Sequence, residues 1–230
     1  GWRGVDICND PTSPWYGYVY AARASGGQDV LRFEPDGSNP VVFNDGGADS
    51  TNWGYSGPFG VQVTTDGKVY ASSFSKGWYL GWNLDGSGFV KGTTVGPGWA
   101  MPRYFTIEGA SVGGKTVATY ELPHAPIAQA TAARIETTAN DPTNGGAWTS
   151  ADYWAVTDLN GKLPFLMKPG IGPDGFIHAP SYYGTTTNAE DWHQGGRLMK
   201  WNFTTSANAT VQDQNWKIRR GASVAFTQDG

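Results

Sequence analysis

Three histidines are the residues best suited to chemistry: His124 in LPHAP, His178 in FIHAP and His193 in DWHQGG, with Glu121 and Asp191 near them in the chain. Imidazole and carboxylate together make a metal cradle or a general acid–base pair. Both uses need a spacing that gathers the groups. No HExxH or comparable ligand spacing occurs, and the three histidines fall on separate strands or loops. His178 holds the register of Tyr20 and Tyr70, which reads as a packed strand residue, and His124 sits between prolines in a turn. Asp191-Trp192-His193 lies in a long insertion, Tyr182 to Gly196, the best single place for a ligand-facing loop. An enzyme built on this chain would use His178, His193 and Asp191. The chain has no GxSxG and no Walker or dinucleotide-binding loop, and no carboxylate pair stands out as a glycosidase couple. The expectation is therefore no catalytic site, no metal and no cofactor.

Other side chains suit binding. Trp53, Trp78, Trp82, Trp99, Trp148 and Trp192 sit in or near turn-rich stretches, where flat rings can stack on sugars or fill wedges between sheets. Wedge-filling is expected for most of them, and Trp192 is the first candidate for glycan stacking. Asn202-Phe203-Thr204 and Asn208-Ala209-Thr210 both satisfy the N-glycosylation sequon. Cys8, in GVDIC, is the only cysteine, so no intrachain disulfide forms, and its alternating setting reads as a buried strand thiol.

Turns and strands must position these groups, and the turns recur. Short alternating strands run into turn glycines at Gly17, Gly67, Gly114, Gly175 and Gly230, at intervals of 50, 47, 61 and 55 residues. After the first four a second strand follows in one register: YVYA at 18–21, KVYA at 68–71, KTVA at 115–118 and FIHA at 176–179. A period near 50 built from strand pairs marks a β-propeller, each repeat one blade. The expected fold is all-β: a four-bladed β-propeller over residues 1–220, with blades at about 4–57, 58–100, 101–168 and 169–216. No segment has convincing helical periodicity, although Ile127 to Arg134 has the propensity for a short helix.

The stretches GVQVTTDGKVYAS and GWNLDGSGF resemble the NHL and SMP-30-like propeller repeat, G-V-x-V-x-x-D-G-x-V-Y-V-A followed by D-x-D-G. The first two blades match well, the fourth in part and the third weakly. The resemblance implies the propeller fold. It leaves function open, because families that share the repeat include lactonases, lyases, scaffolds and ligand-binding modules. The calcium-binding acidic residues of the hydrolytic members have no assigned counterparts here.

The fifth unit is a single strand. In residues 217–230, Ala222, Val224 and Phe226 share one face and Ser223, Ala225 and Thr227 the other. The first blade already has its own first strand at Gly4–Ile7, so this strand is surplus. It docks into a second subunit, or displaces the N-terminal strand and closes its own ring, or belongs to a longer propeller. Head-to-tail donation that does not close on itself builds a filament.

Composition bounds the partners. Of 230 residues, 33 are Gly and 14 Pro, charged residues are 16%, and the formal net charge is −4. That balance gives no electrostatic reason for a nucleic-acid or anionic-membrane partner, and no apolar run is long enough to span a membrane. Low charge with many Thr, Ser, Asn, Gly and Trp resembles extracellular surface proteins. A start at Gly1, already inside a strand pattern, fits a secreted form whose leader is removed and equally an excised piece. The expectation is an extracellular or cell-surface structural protein, partnered by itself, that assembles through strand 217–230. The alternatives are a secreted carbohydrate-active or lactonase-like enzyme, or a glycan-binding adhesive module.

Overall fold

Turn glycines hand one strand to an antiparallel neighbour, and among the described residues the strands collect into four sheets. The computed structural model describes residues 1–44, 53, 57–92, 101–122, 129–136, 153–155, 167–180, 198–202, 210–213 and 226. The first sheet is β1 (Trp2–Ile7), β2 (Val19–Arg23), β3 (Asp29–Phe33) and β4 (Val41–Val42). The second is β5 (Pro58–Val63), β6 (Lys68–Ser73), β7 (Trp78–Asn83) and β8 (Val90–Lys91). The third is β9 (Met101–Glu108), β10 (Lys115–Leu122), β11 (Gln129–Glu136) and β12 (Tyr153–Ala155). The fourth is β13 (Gly170–Ile171), β14 (Phe176–Pro180), β15 (Leu198–Asn202) and β16 (Thr210–Asp213). Within each sheet the strands lie in chain order, paired antiparallel.

Two local readings are corrected. Of the segment Ile127 to Arg134, residues 129–134 lie in a strand and not a helix: residues 129–136 are β11, held between β10 and β12. Backbone bonds on both edges outweigh the helical propensity of its alanines. The third turn also differs from the others. Gly17, Gly67 and Gly175 have φ of 81°, 77° and 76°, the left-handed conformation that glycine adopts freely. In the third turn that conformation falls on Gly109 and Gly113, because the turn is longer. Gly114 is needed for space: a Cβ there would lie 2.2 Å from the Ala110 carbonyl oxygen.

The sheets stack in sequence: β1 and β2 against β5, β5 and β6 against β9, and β9 against β13. The seam between the first two sheets is the apolar core. Tyr20, Ala22, Val30 and Phe43 meet Val61, Val69, Ala71, Leu80, Trp82 and Leu84, all buried. Phe43 lies against Trp82 at 5.8 Å between ring centroids, and the Tyr20 hydroxyl donates to the Leu84 carbonyl at 3.1 Å. Across the next seam Tyr79 meets Phe105 edge-on at 4.8 Å. Burial of this kind is the main favourable term in folding. Cys8 follows β1, free and buried. Among the described residues no helix is long and apolar enough to cross a membrane.

Candidate functional site

The first strands of the sheets, β1, β5, β9 and β13, contact one another in sequence and carry polar groups that link sheet to sheet. Strand pairing fixes their equivalence. Asp6 pairs with Tyr20, Gln62 with Tyr70, Thr106 with Val117 and Gly170 with His178. The side chains of Asp6, Gln62 and Thr106 form a belt from sheet to sheet that ends on the backbone beside β13. Asp6 Oδ2 accepts from Gln62 Nε2 at 2.7 Å and from the Val63 N–H at 2.8 Å. Gln62 Oε1 in turn accepts from the Ile107 N–H at 3.1 Å, and the Thr106 hydroxyl donates to the Pro169 carbonyl. The other Asp6 oxygen accepts from its neighbour's N–H, that of Ile7, at 3.0 Å.

Burial pushes the Asp6 carboxyl above its ordinary range, against the pull of the Lys168 ammonium and the Val63 and Ile7 N–H groups. Burial pushes Lys168 down, partly offset by Asp6. Sequence reasoning missed this belt. Its one signal was a polar residue at the same offset in the first strand of three successive repeats. A second link joins turns: Asp66 accepts from the Ser111 N–H at 2.9 Å and from the Ser111 hydroxyl. With Thr64 these bonds hold the Asp66 carboxyl low despite the opposing effect of burial.

His178 is the one described histidine, and it is buried at 4% exposure. Its Nε2 lies 3.4 Å from Asp174 Oδ1, whose other oxygen accepts from Lys200 Nζ at 2.7 Å. Lys200, with the Phe176 N–H and His178, holds the Asp174 carboxyl down at about 2. The Phe226 ring packs edge-on against His178 at 4.9 Å and is 39% exposed. His124, Asp191, Trp192, His193, Asn208, Ala222 and Val224 lie outside the described residues. Glu121 is in β10, paired with Ala130 and Met101. Asn202 ends β15, paired with Phe176. Among the described residues no three His, Cys, Asp or Glu side chains gather as a metal site. Trp53 and Trp82, at 0% and 1% exposure, stack on each other in the core, and Trp99 and Trp148 lie outside the described residues.

One apolar surface departs from the pattern. Trp2, Val5 and Ile7 on β1 are 56%, 57% and 43% exposed. Val5 pairs with Ala21 as Val61 pairs with Ala71, so the two valines are equivalent. Val61 is buried beneath β1, where Gly4 comes so close that a Cβ would lie 2.8 Å from the Val61 nitrogen. Among the described residues Val5 has no such cover.

No protein-family profile and no curated protein matches the chain. Solved structures do. A chain of the nidogen/laminin complex matches with a TM-score of 0.59 and 12% identity, over 99% of this chain and 69% of that one. Virginiamycin B lyase from Staphylococcus aureus matches at 0.54 and 11%, over 92% of this chain and 55% of the lyase. A protein of unknown function from Bacteroides caccae matches at 0.56 and 10%, over 92% and 65%. This chain thus spans only part of the length of each. At such identities the likeness carries the fold and nothing finer: the chain is an all-β protein of β-propeller architecture.

Proposed function

We propose that this chain is a four-bladed, NHL-type propeller that acts as an extracellular structural subunit. It assembles head-to-tail with copies of itself through its C-terminal strand, residues 217–230, and performs no catalysis. The observation that carries the reading is the seat of Phe226 on the fourth sheet. Counting back from Gly230 as from Gly67, Phe226 takes the position of Val63 and Val224 that of Val61. The strand thus has the pattern of the first strand of a further sheet, and its Phe226 packs where such a strand would stack, on His178. A strand so placed has a second face to offer to another molecule.

Addition to a second copy fits this register better than replacement of β1. Ser223 would then stand where Gly4 stands, and a Cβ at Gly4 lies 2.6 Å from the Phe59 carbonyl oxygen. Low charge and abundant Thr, Ser, Asn and Gly favour the extracellular setting. Electron microscopy of the purified chain over a concentration series, beside a variant lacking residues 221–230, tests the proposal. Filaments from the full chain and soluble monomers from the truncated one are expected. Discrete monomers of the full chain at every concentration overturn it.

A further inference from the structure

The turn between β1 and β2 is longer than its counterparts. It spans residues 8–18, against 64–67, 109–114 and 172–175 in the other sheets. The strand pairing does not need the extra length, yet the turn is fixed by its own bonds. Asp10 Oδ1 accepts from the Thr12 N–H and hydroxyl at 2.9 and 2.7 Å, and Ser13 Oγ from the Trp15 N–H at 3.1 Å. The Tyr16, Gly17 and Tyr18 N–H groups donate to the carbonyls of Ser13, Cys8 and Trp15. The turn thus holds Trp15 edge-on to Tyr18 at 5.1 Å between ring centroids. Both are half-buried, and Tyr16 is 57% exposed. A rigid turn that carries aromatic rings is a pre-organised binding surface.

Arg32 lies against these rings. Its guanidinium carbon is 4.1 Å from the centroid of the Trp15 ring and 5.6 Å from that of Tyr18. Nη1 donates to the Leu84 carbonyl at 3.3 Å, which the Tyr20 hydroxyl shares. One ring face and one anchor fix the guanidinium plane, and among the described residues its Nε–Nη2 edge meets no acceptor. Trp53 Nε1 and Thr116 Oγ1 are the buried side-chain atoms left without a partner among the described residues, so the Arg32 edge is open to solvent. Arg23 shows what such an edge takes. Its Nε donates to Asp29 Oδ1 at 2.8 Å and its Nη2 to Asp29 Oδ2, a two-pronged grip on one carboxylate. Exposed Asp85 does not fill that place at Arg32. Its Oδ1 accepts from the Ser87 N–H and hydroxyl at 2.9 and 2.6 Å. Ser87, with smaller help from Arg32, holds the Asp85 carboxyl low.

We infer that the Nε–Nη2 edge of Arg32, with the rings of the 8–18 turn, binds the carboxylate of a uronic-acid sugar. The fork takes the carboxylate in two parallel hydrogen bonds, which a lysine cannot reproduce. The aromatic rings take the apolar C–H face of the pyranose. An acidic peptide fits less well, because the N–H groups of residues 15–18 are already spent within the turn. Asp85 opposes the charge of the ligand and keeps the affinity for a single sugar low. The site is independent of assembly, since neither the terminal strand nor the exposed face of β1 enters it.

Saturation-transfer NMR and calorimetric titration of the full chain test it, with trisaccharides of galacturonate, glucuronate and mannuronate as probes. Their methyl esters serve beside them, keeping the ring and losing the charge. At least one acid form is expected to bind, and its ester about tenfold more weakly. Arg32→Lys keeps the charge and loses the fork, and should weaken binding about tenfold. Tyr16→Ala should weaken it about threefold. Asp85→Asn should tighten it about threefold, because it removes an opposing charge and leaves an amide oxygen for Ser87. An Arg32 that only packs predicts no such gain. Thermal unfolding checks each variant, and the exposed positions Tyr16 and Asp85 carry the test if Arg32→Lys does not fold. No binding of any trisaccharide, or equal binding of acid and ester, overturns the proposal. So does an acetylated glutamate peptide that binds as tightly as the sugars and is lost in Arg32→Lys, which makes the site one for acidic peptides.

Discussion

Val5 and Val61 hold one register in successive sheets, paired with Ala21 and Ala71, yet Val5 is 57% exposed and Val61 1%. The difference separates a residue's place in the repeat from its place in the core. Val61→Ala removes two methyls from a closed seam and is expected to cost about 2 kcal/mol, counting transfer and cavity together. Val5→Ala is expected to change stability by less than about 0.5 kcal/mol. Urea unfolding at a dilution where the chain is monomeric measures both. A large loss at Val5 would mean that Val5 is covered in the isolated molecule.

The same seam sets a limit on Gly4. Its φ lies outside the left-handed region, so space alone excludes a side chain. A Cβ would stand 2.6 Å from the Phe59 carbonyl oxygen and 2.8 Å from the Val61 nitrogen, and backbone atoms cannot swing aside. Gly4→Ala should therefore cost about 1–3 kcal/mol as overpacking. Gly60→Ala should cost less, because its nearest neighbour is the Phe105 ring, which can shift. Thermal unfolding of the pair ranks them.

Much of this geometry was legible in the sequence. The DG turns and the alternation of Val61-Gln62-Val63-Thr64 give strands and sheet order, because turn chemistry and period-two patterning are local properties. The match of His178 with Tyr20 and Tyr70 is local too. The Asp6–Gln62 bond joins residues 56 apart, and nothing local records which sheet follows which across the axis. β11 misled for a related reason: its alanines favour a helix, and only its partners β10 and β12 make it a strand. The Phe226 seat was likewise invisible, because its contact with His178 joins residues far apart in the chain.

Two carboxylates should respond to acid in opposite senses. Asp174 is held at about 2, below its ordinary 3.8. Its contribution is present above pH 3.8 and is lost as pH falls through 2. Asp6 is raised above 3.8 by burial. The unfolded chain gives up that proton first, so stability declines as pH rises from 3.8 through the folded value, then levels. Asp174→Asn should flatten the acid limb of the unfolding profile, and Asp6→Asn the decline above pH 3.8. Asp6→Ala is a different change. It leaves the Val63 N–H without its acceptor and Gln62 Nε2 with the Val61 carbonyl alone, and should cost about 2 kcal/mol.

His178→Tyr decides between packing and chemistry at the one histidine placed in the fold. Its register equivalents Tyr20 and Tyr70 are buried tyrosines at 0% and 2% exposure, so the sheet accepts that shape. Tyrosine keeps an aromatic face for Phe226 and gives up the imidazole contact with Asp174 at 3.4 Å. The substitution is expected to leave folding and self-association within a factor of about two of wild type. His178→Ala should weaken both, because the cavity unseats Phe226. A hydrolytic site would answer differently: any lactone or glycoside turnover would vanish in both variants alike, since neither tyrosine nor alanine can exchange a proton near neutral pH. Turnover assays beside light scattering on the two variants therefore separate a strand that is stapled at His178 from a site that works there.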